Sequence, residues 1–294
     1  MVERANISRR SAIGAIAGAA GAALLSGGTP VSATTGDADT ALKGRLKQSV
    51  CRWCYAKMDL EDLCRNAAEI GLQSVELLDV EELDVPLRHG LTCAMVNGPS
   101  GIARGWNRAE DHDQLIKKSK ELLAAIGELG MPNMIVFSGN TQRGQSAEQG
   151  LDACARGLTK ILKSAEKNGV TVCMELLNSK VDHRGYQCDH TEWGVKLVEK
   201  IAHERFKLLY DIYHMQIMEG DVIRTIRAHK DHIAHYHTGG VPGRHEIDET
   251  QELNYRAICQ AIVDMGFTGY LAQEFIPKRN PMVSLAQAAG ICDV

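Results

Sequence analysis

The chain has 294 residues, of which 44% are hydrophobic and 24% are charged, and its formal net charge is −4. This composition is that of an ordinary globular chain, and it excludes collagen-like, low-complexity and polytopic membrane proteins. Lys and Arg number 33 against 37 Asp and Glu, so the total charge gives no sign of a nucleic-acid partner.

The first 33 residues have the organisation of an export signal rather than of a folded domain. Arg9 and Arg10 precede an uncharged run at 12–28 that is rich in Ala and Gly, and a small-residue cleavage site follows at 31–33. This order resembles a twin-arginine export signal, so we expect a periplasmic protein that meets the membrane only through the signal. The predicted organisation is a signal peptide at 1–33, a linker at 34–45 and a single domain at 46–294.

The chain has nine cysteines, an odd number that cannot all pair within one molecule. The twin-arginine route carries proteins that have already folded in the cytoplasm, so buried thiols can stay reduced after export. Cys51 and Cys54 form the one C-x-x-C sequence. Because no second such pair accompanies them, we interpret them as packing residues rather than as a metal or redox site.

Beyond the linker, short apolar runs alternate with helical patterns. The runs are rich in Val, Ile and Leu and mostly end at a polar residue or at Gly. They predict eight strands, at 48–55, 74–78, 91–97, 133–138, 170–176, 206–212, 232–238 and 270–275. Apolar residues at helical spacing predict helices at 59–70, 114–129, 147–168, 192–203, 216–228 and 254–265.

Eight strands that alternate with helices over about 250 residues are typical of a single-domain (β/α)8 TIM barrel, an α/β fold. The alternative is a doubly wound open sheet, which places a glycine-rich phosphate loop after its first strand. At that point this chain has Tyr55-Ala56-Lys57-Met58, without a glycine. The sequence therefore favours the barrel.

Four successive predicted strands in the C-terminal half each end in an ionisable residue. These residues are Glu175, Asp211, His237 and Glu274. Active sites of TIM barrels lie at the C-terminal ends of the strands, so the four side chains are expected to converge. Three buried carboxylates repel one another unless a cation lies between them. The set suits one divalent ion such as Mn²⁺, Mg²⁺, Co²⁺ or Zn²⁺.

Further polar residues are expected near the same end of the barrel. His235 lies on the same strand face as His237, one layer deeper, and equally suits a hydrogen-bonded core histidine. Arg244 follows a Gly-Gly loop, where it can either clamp a carboxylate or phosphate or lie exposed. The predicted substrate-binding residues are His214, Arg244, Glu76 and Asn97.

These residues lie in sequences that resemble a known family. Residues 174–179 resemble the E-x-x-N-S segment of hydroxypyruvate isomerases, and residues 210–220 match the family's YDIYHMQ-x-MEG sequence over eleven positions. The segments at 235–237, 243–247 and 273–275 continue the pattern in order. The wider group is the xylose-isomerase-like (sugar phosphate isomerase/epimerase) TIM-barrel superfamily, in which D-tagatose 3-epimerase and endonuclease IV are more distant relatives.

The resemblance implies one divalent metal held by the four strand-end residues, with Glu175 and Glu274 also serving as the acid/base pair. It implies that His214 and Arg244 hold substrate oxygens. Two departures affect these assignments. Familiar hydroxypyruvate isomerases carry Gln at the position of His237, and Arg244 lies one residue further from His237 than in the epimerases.

The expected activity is the isomerisation of a small 2-hydroxy aldehyde and a hydroxy ketone, of the hydroxypyruvate and tartronate semialdehyde type. One proton moves between adjacent carbons through an enediolate, which needs an acid/base pair and a stabilising cation. The alternatives on the same metal site are a ketose 3-epimerase or other sugar isomerase, and an inosose-type dehydratase. A non-catalytic sugar-binding barrel and an endonuclease IV-like hydrolase fit less well. The expected partner is a small hydroxy-carbonyl or sugar substrate and no nucleic acid, and the sequence is compatible with a homo-oligomer.

Overall fold

The computed structural model describes residues 42–294, so the predicted signal peptide at 1–33 and most of the predicted linker lie outside the described residues. Within that range the strands of one parallel sheet are β1 (Lys47–Cys51), β2 (Ser74–Glu76), β3 (Asn133–Val136), β4 (Thr171–Glu175), β5 (Phe206–Asp211), β6 (Ile233–Thr238) and β7 (Tyr270–Gln273). The strand order is β2-β1-β7-β6-β5-β4-β3.

The helices are α1 (Leu60–Ile70), α2 (Asp84–Arg88), α3 (His112–Glu128), α4 (Ala147–Lys167), α5 (Thr191–Ile201), α6 (Ile212–Met218), α7 (Val222–Ala228), α8 (Tyr255–Asp264) and α9 (Pro281–Cys292).

The segment 91–97, predicted as a strand, closes the barrel between β2 and β3 without forming a regular strand. Isolated parallel bridges join Ser74 to Thr92, Leu78 to Val96, and Val96 to Met134. The regular ladder is interrupted because Leu77 has a left-handed backbone (φ 59) and because the Ser74 hydroxyl, not a carbonyl, accepts from the Ala94 amide. The predicted TIM barrel is confirmed, with one irregular member.

Other predicted boundaries differ from the structure. The first strand ends at Cys51, and Arg52–Tyr55 forms a 3-10 helix instead of continuing it. The Arg52 guanidinium stabilises this turn by donating to the Tyr55 carbonyl at 2.7 Å. The helix predicted at 216–228 is two helices, α6 and α7, because Gly220 (φ 67) reverses the backbone between them.

The sequence patterns do not predict helices α2 and α9. The first has only five residues and contains a proline, and the second is almost uniformly apolar, so neither shows an amphipathic period. Helix α9 begins where the Asn280 side chain accepts from the amides of Met282 and Val283. In residues 42–294 no helix is long and apolar enough to span a membrane.

The apolar core has two parts, inside and outside the sheet. The larger part lies between the strands and the helices, and a small inner cluster consists of Met95, Ile135, Cys173 and Leu209. Strand side chains alternate between faces, so the residues two positions further along β4 and β5 also point inwards. Those residues are Glu175 and Asp211, which therefore lie directly above the inner apolar cluster.

All nine cysteines lie in the described range and are free, and all except the half-buried Cys54 are buried. Burial raises the pKa of the Cys51 thiol, and it does the same for most of the other thiols. The burial of eight of the nine agrees with their interpretation as packing residues. Sγ of Cys51 also lies 3.9 Å from Nε2 of His237, next to the site described below.

Candidate active site

The ends of β4, β5, β6 and β7 bring four ionisable side chains together. Glu175 and Asp211 are the last residues of β4 and β5, His237 lies one residue before the end of β6, and Glu274 follows β7. One ligating atom from each residue lies within 4.8 Å of the corresponding atom of the others. None of the four is more than 4% exposed, so their charges interact at short range with little solvent screening.

Glu76 fixes the orientation of the His237 ring from the opposite side of the barrel. Its Oε1 accepts from Nε2 of His237 at 2.9 Å and from Nε2 of His235 at 2.8 Å. Nε2 of His237 therefore carries a proton, and Nδ1 points towards Glu274 (2.6 Å) and Glu175 (3.3 Å). The structure thus places Glu76 and His235 beneath the four residues, fully buried.

Arg244 lies in the wall of the site rather than on an exposed loop, since it is only 8% exposed. Its Nη2 contacts Oδ2 of Asp211 at 2.8 Å and also contacts Oε2 of Glu274. Its Nε donates to the Glu274 carbonyl at 3.1 Å. The backbone of Arg244 is left-handed (φ 57), a strained conformation for a residue with a Cβ. The surrounding contacts hold it there and aim the guanidinium at two of the carboxylates.

His214 is held between Arg244 and Asn178. The Asn178 Oδ1 accepts from the amides of Val181 and Asp182, so its Nδ2 donates to Nδ1 of His214 at 2.6 Å. On the other side Nη1 of Arg244 lies 2.5 Å from Nε2 of His214. The backbone amide of His214 donates to Asp211, which caps helix α6. Both ring nitrogens of His214 are thus in contact with protein groups, although a neutral imidazole can accept a hydrogen bond at only one of them. The backbone hydrogen bond also fixes the position of the residue.

A cavity of about 280 Å³ opens above these residues. Glu175, Glu274, His214 and Arg244 form a polar wall. The rest of the lining is mostly apolar, and includes Leu77, Ile102, Ile135, Phe137 and Leu177. Asn97 also lines the cavity, and its Nδ2 donates to Oδ1 of Asp79 at 2.9 Å. Glu76 is not among the lining residues, so the structure places it behind the site and not against the cavity.

Trp53 and His183 also line the cavity, and sequence reasoning missed both. Trp53 lies in the 3-10 turn after β1 and donates from Nε1 to Oε1 of Glu274 at 2.6 Å. The predicted first strand, 48–55, is too long and includes Trp53, so this residue was not predicted to lie in a loop at the active site. A tryptophan close to the end of a barrel strand could have indicated a residue that lines the site. His183 lies in the loop after β4, where no periodicity indicates which side chains face the site.

The two glutamates have pKa values that move in opposite directions. Burial raises the pKa of Glu175. Burial also acts on Glu274, but the charges of Arg244 and His237 outweigh it and hold the pKa of Glu274 well below its ordinary value. Burial lowers the pKa of His237, but Glu274 outweighs this and raises it. Two neighbouring carboxyl groups whose pKa values differ in this way can act as proton donor and proton acceptor respectively.

Burial also raises the pKa of Asp211 well above its ordinary value, and the Arg244 charge offsets this only in part. At His214, burial and then Arg244 lower the pKa well below the ordinary value. His214 is thus a neutral ring at pH 7, able to form hydrogen bonds without adding charge to the site.

The donor set fits a divalent cation. Nε2 of His237 donates to Glu76, and Nδ1 faces the Glu274 carboxylate at 2.6 Å. Burial lowers the pKa of His237, but the Glu274 charge outweighs it and favours a proton on Nδ1. A divalent cation between Nδ1 and the carboxylates would take the place of that proton. Nδ1 of His237 forms no hydrogen bond of acceptable geometry in the described part of the chain. A carboxylate behind a histidine whose other nitrogen faces carboxylates is a recurrent arrangement around bound metals.

These observations define the class: an α/β barrel enzyme with a buried group of three carboxylates and a histidine at the C-terminal end of its strands. Residues 64–290 match the family described as xylose isomerase-like TIM barrel, and the chain belongs to this family.

Known relatives agree with this assignment. The chain is 28% identical over 233 residues to the 2-oxo-tetronate isomerase of Cupriavidus necator, covering 74% of this chain and 88% of that protein. It is 28% identical over 245 residues to the hydroxypyruvate isomerase of Escherichia coli, covering 79% and 93%. A solved structure named as an AP endonuclease, family 2, from Brucella melitensis has a TM-score of 0.75 at 25% identity, covering 83% of this chain and 98% of that one. The curated relatives identify this chain as an enzyme of the isomerase type.

Proposed function

We propose that the protein interconverts a small 2-hydroxy aldehyde and a hydroxy ketone, of the hydroxypyruvate and tartronate semialdehyde type. The observation that carries this proposal is the pair of buried carboxylates, Glu175 and Glu274, which line a small cavity and lie 3.3 Å and 2.6 Å from Nδ1 of His237. The names of the curated relatives support the same class of substrate.

The size of the cavity favours a small substrate. At about 30 Å³ for each water-sized group, 280 Å³ accommodates roughly nine such groups. A three- or four-carbon hydroxy-carbonyl acid fits within this volume.

The chain's own residues account for the proton transfer. Glu274, whose low pKa keeps it ionised, accepts the proton from the carbon next to the carbonyl group. Glu175, whose raised pKa allows it to carry a proton, delivers one to the neighbouring carbon. The hydroxyl proton moves to the former carbonyl oxygen in the same conversion, so the two isomers have the same composition. Glu274 then releases its proton to solvent and Glu175 regains one from solvent, which restores both groups for the next turnover. Trp53 and Arg244 hold the two oxygens of Glu274 and so fix its direction of approach.

We propose that Glu175, Asp211, His237 and Glu274 hold one divalent ion, which would supply Lewis acidity to offset the negative charge of the enediolate. We propose that His214 and Arg244, which line the cavity beside these residues, contact the substrate, with Arg244 as a hydrogen-bond donor. Arg244 also neutralises part of the carboxylate charge, which keeps the four residues close together. Export by the twin-arginine route remains a prediction from the sequence.

A substrate panel followed by NMR in D2O tests the proposal. The panel contains hydroxypyruvate, a four-carbon 2-oxo acid, ketoses and an inosose. We expect isomerisation of the hydroxy-carbonyl acids with deuterium incorporated at the carbon that receives the proton. Turnover confined to epimerisation of a ketose at C3, or to dehydration of the inosose, would instead establish one of the two alternative activities.

The variant Glu274→Gln tests the acid/base role. Its activity should fall by about 10²- to 10⁴-fold, the usual contribution of a general acid or base. Glu249→Gln is the matched control, because Glu249 is exposed and outside the cavity. Retention of more than about a tenth of the activity by Glu274→Gln contradicts the assignment.

A further inference from the structure

One cavity residue, His183, has no role in the proton transfer described above. Its ring lies 5.2 Å from the ring of His214, whose Nε2 contacts Nη1 of Arg244, and His183 and Arg244 line the same cavity. Neither ring nitrogen of His183 forms a hydrogen bond with any other residue in the range 42–294. A half-buried imidazole without a protein partner is free to bind a ligand.

The loop that carries His183 is firmly held. Asn178 Oδ1 accepts from two amides of the loop, and Oδ2 of Asp182 accepts from Asn178 and from the Tyr213 hydroxyl at 2.8 Å. Lys180 Nζ donates to the Met218 carbonyl at 2.8 Å on helix α6. The His183 amide also donates to the Asn178 carbonyl at 3.1 Å. These contacts hold the chain around His183, so its ring is presented to the cavity by a preorganised loop.

The hydrogen bonds of Arg244 show why a second donor is needed. A guanidinium has five N–H groups. Nε donates to the Glu274 carbonyl, Nη2 contacts Asp211 and Glu274, and Nη1 contacts His214. One N–H on Nη1 is therefore left for a ligand, and Arg244 by itself cannot grip a carboxylate through two parallel hydrogen bonds.

We propose that His183 is the second hydrogen-bond donor for a carboxylate on the substrate, beside the remaining N–H of Arg244, and that it selects hydroxy-carbonyl acids over uncharged hydroxy ketones. This inference rests on the proposed function and names the substrate class of that site. Burial, followed by the charge of Arg244, lowers the pKa of His183, so at neutral pH its ring is neutral and carries one N–H to donate.

Two substrates that differ only at the carboxylate test the proposal. Hydroxypyruvate and dihydroxyacetone share the carbonyl and hydroxymethyl groups, but the second has a hydroxymethyl group in place of the carboxylate. In His183→Leu, with Mn²⁺ present, kcat/KM for hydroxypyruvate should fall about 10- to 100-fold through a rise in KM, as expected for a lost hydrogen bond to a charged group. The value for dihydroxyacetone should change less than about threefold.

Two further variants complete the design. His183→Gln, which places an amide N–H near the position of Nε2, should recover most of the lost preference. Arg184→Leu is the control for disturbance of the loop, because Arg184 is exposed and does not line the cavity. It should behave as the wild type with both substrates. Equal losses on the two substrates in His183→Leu, or no loss on either, overturn the proposal.

The affinity for glycerate, measured by calorimetry, tests the role of His183 independently of the proposed activity. Glycerate carries the carboxylate but no carbonyl group, so its binding does not depend on turnover. A wild type that isomerises none of the hydroxy-carbonyl acids of the substrate panel refutes the proposed activity. A glycerate Kd that rises at least about tenfold in His183→Leu would still support His183 as a carboxylate ligand in that case. Glycerate that does not bind the wild type, or binds both proteins equally, refutes the role of His183.

Discussion

Replacement of Glu76 by Gln tests how much the buried negative charge of this residue stabilises the folded protein. Glu76 is fully buried, and burial by itself raises the pKa of a carboxyl group. The charges and hydrogen bonds of His235 and His237 outweigh burial and lower the pKa of Glu76 from 4.5 to about 2. At 1.36 kcal/mol for each pH unit, this difference corresponds to about 3 kcal/mol of folding free energy at pH 7.

The sign of the pH dependence follows from the direction of the shift. Because the pKa of Glu76 is lower in the folded protein than in the unfolded chain, its stabilisation is complete above pH 4.5. It is lost as the pH falls towards 2, and roughly two-fifths remains at pH 3. Glu76→Gln should therefore be about 3 kcal/mol less stable than the wild type at pH 7, and this gap should narrow in acid.

Urea unfolding at pH 7, 4 and 3 measures the difference in unfolding free energy between the wild type and Glu76→Gln. Equal m-values verify that both proteins expose the same surface area when they unfold. Glu69→Gln makes the same chemical change on the exposed side of helix α1, and its stability should match the wild type at each pH. A gap at pH 7 below about 1 kcal/mol, or a gap that does not change with pH, would refute the conclusion that paired imidazoles stabilise an ionised Glu76.

Further predictions concern the metal and the backbone. Protein stripped of metal, and shown to be empty by elemental analysis, should lose isomerisation and regain it with Mn²⁺, Mg²⁺, Co²⁺ or Zn²⁺, whereas a full rate without metal contradicts the Lewis-acid role. Ala202, which ends helix α5, has a left-handed backbone (φ 51) that costs a residue with a Cβ about 1 kcal/mol. Ala202→Gly should therefore raise the thermal midpoint by about 2–4 °C in calorimetry, and an unchanged or lower midpoint argues that the strain is already relieved.

The barrel was predictable because it depends on local patterns repeated along the chain. Strands β3, β4 and β6 fall within their predicted ranges, and the Gly stops mark the ends of several helices. The errors occur where a single contact decides the local structure. Arg52 turns the chain after Cys51, and Leu77 interrupts the ladder with segment 91–97.

The sequence by itself determined the alternation of the seven regular strands of residues 42–294 with the longer amphipathic helices, and it determined that Glu175, Asp211, His237 and Glu274 would lie near one another. Strand alternation and the shared end of parallel strands are enough to place residues on a face and at an edge. The match to residues 210–220 added the family but no distances.

Only the tertiary structure decided how these residues act on one another. Glu76 reaches His237 across 161 positions of the chain, and Arg244 reaches Asp211 across 33. Trp53 and His183 enter the cavity from irregular segments. No periodic pattern specifies such contacts, because hydrogen bonds and buried charges depend on distances of a few ångströms that arise only when the barrel closes.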